Sequence, residues 1–122
     1  MTKGVLLVSH TSEIPEGLKR LICEVAPNLS ITTAGGLEDG TVGTSMERIL
    51  TAIEENDSDE LLAFYDLGSA KMNLEMAIEF TDKSVELFDV AMIEGAYTAS
   101  ALLSAGAGED EIKAQLEELK IK

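Results

Sequence analysis

The stretch Gly4-Val5-Leu6-Leu7-Val8-Ser9-His10 sets four aliphatic residues in a row and then turns polar. A run that is apolar on both faces suits a central strand of a parallel sheet, which helices cover above and below. Leu61-Leu62-Ala63-Phe64-Tyr65 has the same character and also ends at a polar residue, Asp66. Residues 29–33 and Val85-Glu86-Leu87-Phe88 alternate instead, as strands at the edges of a sheet do.

Helical patterns separate these runs. Residues 12–26 place Leu18, Leu21, Ile22 and Val25 at i, i+3, i+4 and i+7, with Pro15 in the first turn and Pro27 as the stop. Thr44 and Glu47 have the spacing of a capping box, ahead of a buried stripe of Met46, Ile49, Leu50 and Ile53. Ser69 is expected to cap a helix running to Phe80, in which Met72 and Met76 read as core or interface filler. Residues 91–105 are alanine-rich and closed by Gly106. Residues 109–120 begin on three acids and end on Lys120, which complements a helix dipole. Strand and helix alternate with short connections. The expected fold is therefore α/β: a doubly wound, mostly parallel sheet of about four strands, order 2-1-3-4, flavodoxin-like, with helices on both faces.

Composition narrows the function. The 122 residues suit a single domain over 1–122, and 45% hydrophobic content supports a packed core. Nine basic and 23 acidic residues give a net charge of −14, which argues against nucleic acid and anionic membrane as partners. No apolar run is long enough to span a bilayer, and the start has no signal-peptide pattern, so a cytoplasmic location is expected. A single Cys23 and a single His10 exclude an internal disulfide and a protein-only zinc site, and no metal is expected.

In a 2-1-3-4 sheet the ligand crevice opens at the carboxyl ends of strands one and three, where the strand order reverses. His10 lies just past the first of these and Asp66 just past the other. A neutral imidazole is nucleophilic, and a carboxylate on one ring nitrogen fixes the tautomer and stabilises the cation formed on attack. Helix-start N–H groups near Ser12, or at Gly68 and Ser69, are placed to hold phosphoryl oxygens. The pattern suits a transient phosphohistidine. A lone histidine in such a turn also serves as a cap or a solvated loop residue, and Asp66 also serves as a turn initiator. The glycine-rich segment 35–43 is neither a P-loop, having no following Lys, nor a dinucleotide fingerprint. Ser9-His10 replaces the acidic pair that a magnesium-binding receiver domain needs, and Glu13, Pro15 and Glu16 make a poor flavin-phosphate loop.

Val8-Ser9-His10-Thr11-Ser12 resembles the active-site start of the mannose-type phosphotransferase IIA proteins. Three further segments resemble the phosphotransfer subunits, called DhaM, of phosphoenolpyruvate-dependent dihydroxyacetone kinases. They are Ala34-Gly35-Gly36-Leu37-Glu38-Asp39-Gly40 with Val42-Gly43-Thr44, then Asp66-Leu67-Gly68-Ser69-Ala70, then Glu94-Gly95-Ala96. The resemblance spans essentially the whole chain. It implies a mannose IIA-like fold, with His10 as phosphoryl acceptor and Asp66 orienting it. Ser9, Thr11, Gly35, Gly36, Thr44, Gly68 and Ser69 would support the phosphoryl group. It further implies HPr as donor, from a separate polypeptide, and ADP bound on the DhaL subunit as acceptor. DhaK would be an indirect partner, the chain would form a homodimer, and it would hold no cofactor of its own. Two other readings stay open: a mannose-type IIA component handing phosphoryl to a IIB protein, and a non-catalytic regulatory binding module.

Overall fold

The protein is described by a computed structural model covering residues 3–121. Its elements are β1 (Gly4–Ser9), α1 (Glu13–Cys23), β2 (Ile31–Gly35), α2 (Met46–Glu55), β3 (Glu60–Tyr65), α3 (Gly68–Phe80), β4 (Ser84–Phe88), α4 (Met92–Ser104) and α5 (Glu109–Glu117). The four strands form one sheet in the order β2-β1-β3-β4, with every strand pair parallel. Because β1 is covered on both sides, all six of its residues are buried.

Alternation along the strands divides the core into two layers. Val5, Leu7, Leu62 and Phe64 pack with Leu18 and Ile22 of α1, Ala96 and Ala99 of α4, and Ile112 and Leu116 of α5. Leu6, Val8, Ala63 and Tyr65 point the other way, onto Ile49 and Ile53 of α2 and Ala70, Leu74 and Ala77 of α3. Among the described residues, no helix is long and apolar enough to cross a membrane.

Several local expectations are corrected. β2 runs two residues later than residues 29–33, because pairing with β1 in the register Val5↔Ile31 to Ser9↔Gly35 carries it to Gly35. Helix α1 stops at Cys23, before Pro27 can act. Tight bonds from Glu24 N–H to Leu21 and from Val25 N–H to Ile22 close its end. Pro15, Leu18 and Ile22 are its buried side, whereas Leu21 and Val25 are exposed. The cap of α2 is Ser45, whose hydroxyl accepts from Arg48 N–H, so the box expected of Thr44 and Glu47 does not form. Met72 and Met76 are 68% and 49% exposed and are not core. Helix α5 ends at Glu117; Lys120 lies beyond it, in an antiparallel bridge to Val90.

Asn56, in the acidic break before β3, is buried at 3% exposure and ties the amino end of the sheet together. Its Nδ2 donates to the carbonyls of Val5 and Ser30 and to Thr32 Oγ1, at 3.1–3.3 Å. Its Oδ1 accepts from Ser58 N–H at 3.0 Å. Asn56→Ala removes this set of buried bonds at once, so chemical denaturation should show a loss of about 2 kcal/mol. A midpoint unchanged from the parent would refute this tethering role.

Candidate active site

β1 and β3 are neighbours with Val8 opposite Tyr65, so the next residues of each strand, beginning at Ser9 and Asp66, leave the sheet side by side. That is where strand order reverses, and it brings His10 onto Asp66 as the sequence predicts. Asp66 Oδ1 is 3.0 Å from His10 Nδ1 and accepts from Leu67 N–H at 2.7 Å. Asp66 Oδ2 accepts from Ser9 Oγ and from the His10 backbone N–H, each at 2.9 Å. Burial alone would raise the Asp66 carboxyl. The donors from His10, Ser9 and Leu67 outweigh it and hold the group below the usual carboxylate range.

An ionised Asp66 only accepts, so His10 Nδ1 carries the ring proton and Nε2 keeps the lone pair. Ser69 Oγ lies 2.5 Å from that Nε2 and donates to it. Ser69 was expected to cap α3. It lies instead in the first turn, behind a Leu67 cap that makes no side-chain hydrogen bond, and its hydroxyl is turned to His10. Gly68 and Ser69 are the first two residues of α3, so their N–H groups have no acceptor within the helix.

The loop after β2 supports the site from the other side. Gly36 N–H donates to the Ser9 carbonyl at 3.3 Å, and its φ of +76° suits glycine. Gly43 N–H donates to the His10 carbonyl at 2.8 Å, a contact that sequence reasoning missed because backbone donors leave no residue-type signal. Gly35 packs against the Thr11–Ser12 backbone. Thr11 N–H donates to Ser9 Oγ at 3.3 Å, and Thr11 Oγ1 is buried with no hydrogen-bond partner among the described residues. Thr44 falls outside this group. Its Oγ1 accepts from Asn73 Nδ2 at 2.6 Å and links the start of α2 to α3.

The distribution of acids is mixed. Asp57 and Asp59 lie at the amino end of β3, away from His10. Glu13, Glu16, Glu38 and Asp39 are exposed on the segments that follow β1 and β2, on the His10 edge. Among the described residues, no three His, Cys, Asp or Glu side chains gather to hold a metal. The site can make one nucleophilic nitrogen and stabilise positive charge on its ring.

Comparison with known proteins agrees with this geometry. Residues 4–113 match the EIIA-man family, described as the PTS system fructose IIA component. The phosphotransferase subunit DhaM of the PTS-dependent dihydroxyacetone kinase of Lactococcus lactis is 58% identical over 100% of this chain and 99% of its own. The phosphoryl donor subunit DhaM of PEP-dependent dihydroxyacetone kinase 1 of Listeria innocua is 43% identical over 98% of this chain and 96% of its own. A crystal structure of a protein of unknown function, EF1359, covers 100% of this chain and 98% of its own with a TM-score of 0.84 at 33% identity. Matched over most of its length by the family and over nearly all of it by these subunits, the chain belongs to the EIIA-man family and groups within it with the DhaM proteins.

Proposed function

We propose that the chain is a phosphohistidine carrier of a dihydroxyacetone kinase, a phosphotransferase subunit working in the cytoplasm. It takes a phosphoryl group from HPr onto His10 and passes it to ADP held by DhaL, with DhaK using the resulting ATP to phosphorylate dihydroxyacetone. The reading rests above all on the Asp66–His10 pair, which leaves the Nε2 lone pair as the nucleophile. In the first transfer the P–N bond of the donor breaks and a bond from phosphorus to Nε2 forms. The ring becomes cationic while Nδ1 keeps its proton, and the Asp66 carboxylate offsets that charge. Ser69 must swing from the lone pair, after which its hydroxyl and the N–H groups of Gly68 and Ser69 can donate to phosphoryl oxygens. Ser9, Thr11, Gly35 and Gly36 hold the backbone on which His10 rides. In the second transfer the P–N bond breaks and a terminal phosphate oxygen of ADP takes the phosphorus. The reading includes a homodimer, for which Met72, Met76 and Phe80, exposed on one face of α3, supply an apolar surface.

A second acceptor has support from the family itself, whose description names a fructose IIA component. In that reading a IIB protein takes the phosphoryl group for sugar uptake. The test is a relay of phosphoenolpyruvate, enzyme I and HPr with the intact chain, read by mass at neutral pH and after mild acid. One acid-labile phosphoryl is expected, absent in His10→Ala. Chase with ADP-loaded DhaL or with a IIB protein then identifies the acceptor. No mass gain beside a working HPr control rejects the carrier reading and favours a regulatory module.

A further inference from the structure

We propose that Asp89 is a positioning residue for His10: through Tyr65 and Lys71 it holds the first turn of α3, and with it the Ser69 hydroxyl, against the histidine. The proposal rests on the carrier reading for its consequence, but its structural content stands apart from that reading. Asp89 follows the last residue of β4, so it lies on the same carboxyl edge of the sheet as His10 and Asp66. Its Oδ1 accepts from the Tyr65 hydroxyl at 2.5 Å and pairs with Lys71 Nζ at 3.0 Å. Tyr65 is the residue before Asp66, and Lys71 is two residues after Ser69. One carboxylate thus grips both flanks of the turn that supplies the two groups touching the His10 ring.

The two anchors act from different sides. Tyr65 is 2% exposed and belongs to the core layer of Ala70 and Leu74, so its ring supports α3 from beneath. Burial and the bond to Asp89 keep its phenol protonated far above the ordinary value, and so a donor. Lys71 reaches Asp89 from a partly exposed position on the first turn. Burial alone would raise the Asp89 carboxyl, and Tyr65 and Lys71 reverse this and keep it ionised. Without Asp89 the Tyr65 hydroxyl loses the bond that ties it to the end of β4 and Lys71 is released, which leaves the turn 66–69 free to shift. Displacing a reacting group by about 1 Å costs about 100-fold in rate, so a small shift would be visible.

The test uses the full chain with Asp89→Ala and Asp89→Asn. His10 is the only histidine, so its ring nitrogens give unambiguous 15N resonances that report the bonds at Nδ1 and Nε2. In Asp89→Ala the Nε2 resonance should move, and phosphoryl transfer from HPr should slow by about 10- to 100-fold, in kcat rather than KM. Asp89→Asn keeps an acceptor for Tyr65 and should recover part of both. Unmoved ring resonances in a folded Asp89→Ala protein overturn the proposal, whatever happens to stability. Should Asp89→Ala fail to fold, Lys71→Met removes only the outer anchor and is read in the same way. If the parent protein takes no phosphoryl group, the carrier reading fails, and the ring resonances alone decide the role of Asp89.

Discussion

Asp66→Asn is expected to slow phosphorylation of His10 by about 100- to 10,000-fold while the chain stays folded. Four donors around Asp66 meet acceptor oxygens: Ser9 Oγ, the backbone N–H of His10 and Leu67, and His10 Nδ1. An asparagine turns one of those two positions into an NH2 group. If the NH2 faces Nδ1, it favours the tautomer with the lone pair there and the proton on Nε2, which blocks the nucleophile. If it faces Ser9 and the His10 N–H instead, donor meets donor at the hinge of the loop. In both orientations the neutral amide no longer offsets the charge of a phosphorylated ring. Rapid-quench measurement of transfer from HPr reads the effect. A rate within about threefold of the parent would remove Asp66 from the mechanism, a threshold far inside the expected loss.

Gly35→Ala should give the largest stability loss of any conservative change near the site, about 3 kcal/mol, together with impaired transfer. A Cβ at Gly35 would stand 2.1 Å from the Thr11 carbonyl oxygen and 2.8 Å from Ser12 Cα. Both are backbone atoms, so no side chain can rotate away. Either β2 leaves its register with Ser9 or the segment carrying His10 and Thr11 moves, and each costs the site its alignment. Gly17→Ala is the control. A Cβ there meets nothing within 4 Å, and alanine in a helix interior is favoured over glycine by about 1 kcal/mol. Denaturation midpoints of the two variants should therefore move in opposite directions. Equal behaviour would mean that the approach of β2 to the His10 loop is not tight.

The strand runs and their order were legible in the residues. Residues 5–8 and 61–65 lack alternation because they are buried on both faces, and that property distinguishes central from edge strands. The same rule located His10 and Asp66 together, since topology alone decides where the strand order of a parallel sheet reverses. Residues 29–33 misled by two positions because the pattern of Leu29 and Ile31 marks burial, whereas the end of β2 is decided by pairing with Ser9. Leu21 and Val25 have helical spacing but fall outside the buried strip, because helix α1 is covered only along Pro15, Leu18 and Ile22.

By itself, then, the sequence determined the α/β class, the order 2-1-3-4, and the pairing of one histidine with one aspartate at a single crevice. All of these follow from periodicity and from the polar residue that ends each strand. The tertiary structure decided which ring nitrogen of His10 faces Asp66. It also turned Ser69 from a cap into a partner of Nε2, tied Thr44 to Asn73, and set Asp89 behind Tyr65 and Lys71. These depend on contacts between residues 18 to 59 positions apart in the chain. Hydrogen bonding at that separation is settled by packing angles and rotamers, which local residue patterns do not encode.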